Sequence, residues 1–307
     1  MRPAPRLALA SVVVAAIYVV LSALVTLAFA PWASRGLLVE DREVLWRLRP
    51  GYEGPPDAAD PNAHLVPARI DEHGFRVNGD AAVPTAERER ILTIGDSFTF
   101  GWDVADVDTY PAQLQRILDH RAPGRFEVIN GGMPGCTSFQ AVRLLRREIP
   151  ALEPKVLITL LGRNDGRVAA ISDRAAHKIL RWKPAALNYV FPFMFLHHNS
   201  VGNLAQAVGR ARQQRVSDQD FQTNMDAIAQ IALSNGVRLI VMQHWSRTSA
   251  VSLASFAEAR KLRYIDTPRL LEAASNSGAE LFIRAHFHPN RDGYAVIANA
   301  LADAVLQ

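Results

Sequence analysis

The stretch ILTIGDSFTFGW, from Ile91 to Trp102, decides how the chain is read. Ile91-Leu92-Thr93-Ile94 is a run of apolar and β-prone residues that stops at Gly95, Asp96 and Ser97, the pattern of a buried strand running into a turn. Open parallel sheets take their ligands at the carboxyl ends of their strands, and Gly95 allows a bend sharp enough to expose the serine hydroxyl. Ser97 is therefore the candidate nucleophile. Read alone, Gly-Asp-Ser is an ordinary turn with a capping serine.

Outward from that turn, strand and helix patterns alternate. Strands are expected at Arg90 to Ile94, Phe126 to Ile129, Val156 to Leu161, Val237 to Met242 and Arg263 to Ile265. Helices are expected near Tyr110 to His120, Ser138 to Glu148, Phe221 to Ser234, Ala254 to Lys261 and Asp292 to Leu306. Such alternation implies a parallel sheet with helices on both faces. Three further motifs each stand near the end of an apolar run: Gly131-Gly132, Gly162-Arg163-Asn164-Asp165, and His288-Pro289-Asn290 ahead of the last helix. Singly they read as a loop, a turn and a helix entry.

Together with Gly95-Asp96-Ser97 these blocks resemble, in order, those of the SGNH (GDSL) hydrolase family, over roughly residues 90 to 307. The resemblance implies an α/β fold, a flavodoxin-like three-layer α/β/α sandwich with a parallel sheet. It also implies an ester hydrolase in which Ser97 attacks and His288 takes its proton. The oxyanion donors it implies are the backbone N–H groups of Ser97 and Gly132 and the side-chain amide of Asn164. One position departs from the family pattern. The aspartate that would orient the imidazole, three residues before His288, is Ala285. A backbone carbonyl, or an acid from elsewhere such as Asp266 or Asp292, then has to hold the ring. His286 is disfavoured as the base because Pro289 and Asn290 fix the register on His288.

Three functions follow from that pattern: a hydrolase of an acyl or acetyl ester, an acyltransferase modifying cell-envelope glycans through the same serine, and a binding protein that has lost its chemistry with the acid. The implied partner is an ester-bearing small molecule, lipid or glycan. No cofactor or metal is called for, since His197 and His198 lack carboxylates or cysteines at ligand spacing. The formal net charge of +4 comes from arginines scattered along the chain, which gives nucleic-acid binding no footing. Cys136 is the single cysteine, so no intramolecular disulfide forms.

Leu7 to Ala30 carries no charge over 24 residues, about 36 Å as a helix and enough to cross a bilayer core. An N-terminal transmembrane helix within residues 1–35 is expected, preferred over a cleaved signal peptide because the run exceeds the usual apolar core of one. The catalytic domain is then expected outside the cytoplasm, on a single-pass membrane protein. Residues 36–89 read as a small β-rich lead-in with strands in Glu43 to Leu48 and Ala68 to Val77. Within the hydrolase domain at 90–307, residues 167–217 break the alternation as an aromatic-rich insertion. It is read as helical packing, with a lid over the site or a lipid-facing surface as the functional alternative.

Overall fold

A computed structural model describes residue 20 and residues 36–56, 66–79, 87–169, 171–182, 213–244, 251–276, 278–283 and 287–307. The expected anchor, the aromatic stretch of the insertion with His197 and His198, and Ala285 all lie outside these residues. No helix among the described residues is long and apolar enough to cross a membrane.

From residue 36 the described chain forms an antiparallel hairpin, β1 (Leu38–Asp41) and β2 (Leu45–Leu48), and a second short pair, β3 (Glu53–Gly54) and β4 (Ala68–Arg69). Then come β5 (Glu89–Gly95), α1 (Ser97–Phe100), α2 (Tyr110–Arg121), β6 (Phe126–Gly132), α3 (Ser138–Leu152) and β7 (Val156–Leu161). A two-residue pair, β8 (Val168–Ala169) with β9 (Gln213–Gln214), closes the neck of the insertion, which contributes α4 (Asp173–Trp182). The chain ends with α5 (Asp218–Ser234), β10 (Arg238–Gln243), α6 (Leu253–Ala259), β11 (Arg263–Ile265), α7 (Thr267–Ser275) and α8 (Arg291–Leu306).

The five long-sheet strands run parallel in the order β11-β10-β7-β5-β6. Counted along the chain this is 2-1-3-4-5, the flavodoxin order, with its switch point between β5 and β7. Alternate residues of each strand feed two cores. Leu92, Ile94, Leu157 and Val241 pack under α3, α5 and α6, whereas Ile91, Ile158, Leu160 and Met242 pack under α2, α7 and α8. Both faces of the sheet are thus covered, and its strands are continuously apolar rather than alternating.

Local signals set the helix ends. Ser217 accepts the Asp220 N–H to start α5 three residues ahead of the expected Phe221. Helix α7, absent from the sequence expectation, begins with the same logic: Asp266 accepts the Arg269 N–H, with Pro268 in the first turn.

The lead-in is fastened to the main sheet by a buried cation. Arg76 bonds Asp106 at 3.1 Å and donates to the carbonyls of Phe100 (2.8 Å), Gly101 and Val104 (2.7 Å). Its guanidinium also lies 4.5 Å from the Phe100 ring centroid. The Phe100 and Gly101 carbonyls close the last turn of α1, so Arg76 caps the C-terminus of the helix that starts at Ser97. We predict that Arg76→Met lowers unfolding stability by about 3 kcal/mol, since it leaves the buried Asp106 carboxylate with Arg69 as its one cation and takes a donor from three carbonyls. Arg121→Met at the exposed Asp303 pair changes it by about 1 kcal/mol at most. Urea denaturation of the two variants checks this.

Candidate active site

Ser97 lies one residue past β5, at the first position of α1. Asp96 caps that helix, its Oδ1 accepting the Phe98 N–H at 3.0 Å. The turn can be this tight because Gly95 lacks a side chain: a Cβ there would stand 2.1 Å from Thr99 Oγ1 and 2.7 Å from the Leu160 carbonyl oxygen. His288 arrives from the other end of the chain. Its Nε2 is 2.8 Å from Ser97 Oγ, hydrogen-bond distance for a base and the hydroxyl it deprotonates.

Rings and backbone hold the imidazole. Phe98 lies 5.2 Å away centroid to centroid, and Trp102 stacks at 6.3 Å with planes 30° apart. The main chain of the His288 segment is pinned by Ile283 N–H to the His288 carbonyl at 2.9 Å and Asn290 N–H to the Leu281 carbonyl at 2.9 Å. Neither acid weighed from the sequence touches the ring. Asp266 is occupied as the cap of α7, and Asp292 is exposed on the first turn of α8.

Asn164 is buried beside the nucleophile turn. Its Nδ2 donates to Asp96 Oδ2 at 2.9 Å and to the Cys136 carbonyl at 3.2 Å. Asp96 therefore joins the cap of the serine helix to the amide of the third block. His244, at the end of β10 and 1% exposed, stands behind it with Nε2 3.6 Å from Asp96 Oδ2 and its ring 4.2 Å from that of Phe98. Nothing in the sequence pattern marked His244.

Gly132 is placed differently from the expectation. Its N–H donates to Asn130 Oδ1 at 3.0 Å, and a Cβ there would stand 2.1 Å from the Phe100 nitrogen and 2.5 Å from the Thr99 carbonyl carbon. The missing side chain makes room for α1, and the amide is engaged with Asn130. The N–H groups of Ser97, in the first turn of α1, and of Gly135 have no acceptor among the described residues. Gly135 is the left-handed corner (φ 76°) of the Met133–Cys136 turn, whose Cys136 carbonyl meets Asn164.

The Gly135 turn is held from outside the sheet. Arg215 donates to the Gly135 carbonyl at 2.7 Å while its other nitrogens meet both oxygens of Asp173 at 3.0 Å and Gln140 Oε1 at 3.1 Å. Trp46, from β2, donates its indole N–H to the Pro134 carbonyl at 3.2 Å, and the Arg215 guanidinium lies 5.0 Å from its ring centroid. The lead-in thus braces this turn.

Burial dominates the electrostatics. It pushes the Asp96 carboxyl up to about 7 against the Phe98 N–H and Arg163, which favour the ionised form. It pushes Asp165 up to about 6, against two bonds from Ser138. Burial also raises the Cys136 thiol well above its usual range, so that side chain is packing and not a nucleophile. Among the described residues no cluster of histidines, cysteines and carboxylates could hold a metal ion.

A serine with its base at a sheet's carboxyl edge is the arrangement of a serine hydrolase. The chain belongs to the GDSL-like lipase/acylhydrolase family, whose model matches residues 93–296. Structures it is similar to include an esterase from Pseudoalteromonas sp. (18% identity, 71% of this chain and 97% of that one, TM-score 0.47). Others are the lipase/acylhydrolase of Enterococcus faecalis (15%, 71% and 95%, 0.47) and an acetylxylan esterase from Geobacillus stearothermophilus (15%, 73% and 96%, 0.46). No curated protein sequence matches the chain.

The raised carboxyls set a pH dependence. An unfolded chain ionises them near their ordinary value of 3.8, while the native protein keeps their protons to about 7 and about 6. Between those limits the native state holds more protons, so this contribution to stability falls as pH rises. We predict that the fall in unfolding free energy between about pH 5 and about pH 8 is smaller in Asp165→Asn than in the wild type, by on the order of 1–3 kcal/mol. Urea midpoints at the two pH values measure it.

Proposed function

We propose that this family member is an ester hydrolase working through an acyl-serine at Ser97. The observation that carries the reading is the 2.8 Å contact between His288 Nε2 and Ser97 Oγ. In the first half-reaction Ser97 Oγ attacks the ester carbonyl carbon while His288 Nε2 takes its proton. The tetrahedral alkoxide collapses, expelling the alcohol oxygen, which receives that proton. In the second half water attacks the acyl-serine, gives a proton to His288, and the acid leaves as the proton returns to Ser97. Nε2 must be unprotonated at the outset, so the neutral ring carries its hydrogen on Nδ1.

The alkoxide needs donors fixed in advance. We assign this to the N–H groups of Ser97 and Gly135 and to Asn164 Nδ2, which gives up its longer bond, to the Cys136 carbonyl, when the charge develops. We predict that Asn164→Ala lowers kcat on a 4-nitrophenyl ester by on the order of 10² to 10³ with little change in KM. An equal loss in KM with kcat intact contradicts that role. A fluorophosphonate reacts covalently with wild-type Ser97 and not with Ser97→Ala on this reading; a folded wild-type protein that resists the reagent refutes it.

Membrane attachment through residues 7–30 is a separate proposal, supported by their uncharged length. Alkaline carbonate leaves the full chain in the membrane pellet if it holds, and releases it if it does not.

A further inference from the structure

The turn that presents Asn164 also carries two arginines. Arg163 precedes Asn164, and Arg167 closes the turn with its backbone N–H on the Asn164 carbonyl at 3.2 Å. Both side chains are half-buried. Arg215 joins them, its backbone N–H donating to the Arg167 carbonyl at 2.8 Å. Burial works against the charge on Arg167, the positive charges of Arg215 and Arg163 add to that, and Asp96 acts in its favour.

Arg215 is answered by Asp173. Arg167 has no side-chain hydrogen bond or ion pair among the described residues. The two carboxylates nearest the turn are enclosed and directed elsewhere: Asp96 receives Phe98 and Asn164, and Asp165 receives the N–H and hydroxyl of Ser138. The flanking sequence supplies no others. No Asp or Glu stands between Asp173 and Asp218, where seven lysines and arginines do, and none stands between Asp226 and Glu258.

A half-buried guanidinium among like charges is costly until an anion answers it. In the tetrahedral intermediate the leaving oxygen must face His288 to receive its proton, so the acyl group and the oxyanion point away from His288, to the Asn164 side. We propose that Arg167, with Arg163 beside it, binds a negatively charged group on the acyl half of the substrate, a carboxylate in the simplest case. The proposal rests on the hydrolase reading and narrows it to esters of anionic acyl groups. A guanidinium fork suits such an oxygen pair, and at this depth it is screened less than a surface charge.

The test uses the purified full chain with the 4-nitrophenyl half-ester of adipic acid and with 4-nitrophenyl hexanoate, of matching chain length. Reactive Ser97 is counted by fluorophosphonate titration in the wild type, Arg167→Ala and Arg167→Lys. We expect wild-type kcat/KM to favour the half-ester by about tenfold or more at low salt. The preference shrinks mainly through KM in Arg167→Ala and at high salt, and largely survives in Arg167→Lys. Equal kcat/KM for the two esters, with Ser97 reactive, overturns the proposal and leaves the hydrolase standing. A preference that persists in Arg167→Ala also overturns it. An unreactive Ser97 with neither ester cleaved overturns the hydrolase reading and this proposal with it.

Discussion

The site depends on how closely one short helix lies against the ends of two strands. Helix α1 has a single turn, too short to be stable alone. Its placement comes from contacts that tolerate no side chain: Gly95 against Thr99, and Gly132 against the backbone of Thr99 and Phe100. Strands β5 and β6 are in register at these two glycines, so both openings lie side by side at the sheet edge. The Asp96 carboxylate caps one end of the helix and the buried Arg76 guanidinium holds the carbonyls at the other. Ser97 is thereby fixed at the switch point, and His288 need only be delivered to it.

The rings of Phe98 and Trp102 flank the imidazole, and a short antiparallel bridge between Phe282 and Pro289 fixes its backbone. Several elements serve the turn at Gly135. Arg215 comes from beyond the insertion and Trp46 from the N-terminal hairpin, and both donate to carbonyls of this one corner, while Gln140, from the first turn of α3, accepts from Arg215. Gln140 also donates to the Val44 carbonyl at 2.9 Å, so hairpin, helix and turn form one hydrogen-bonded unit. On the proposed assignment of Gly135 as an oxyanion donor, a turn clamped from two directions keeps its N–H aimed before the charge appears.

The parts of this architecture legible in the sequence are those that depend on neighbouring residues. Continuous apolar runs such as Val156–Leu161 announce strands buried on both faces, and the Gly95-Asp96-Ser97 break announces where the sheet edge lies. The pairing of Ser97 with His288 was legible only through the order of the four blocks, since 191 positions separate them. The surroundings of the glycines were not legible for a physical reason: Gly131, Gly132 and Gly135 look alike in sequence, and only the fold shows which one faces a helix. Arg76 and His244 gave no signal, because a lone arginine or histidine reads as a surface residue until its partners, 24 or more positions away, are known. Helix α7 did carry its signals in Asp266 and Pro268, and its short apolar stripe, with Leu271 as the one buried leucine, hid them.

The most direct test of the account is mass spectrometry of the full chain quenched during turnover of a slowly deacylating ester. An acyl adduct is expected on the peptide containing Ser97, present in the wild type and absent in both Ser97→Ala and His288→Ala. Product released with no adduct on Ser97, or an adduct that persists in Ser97→Ala, would contradict it.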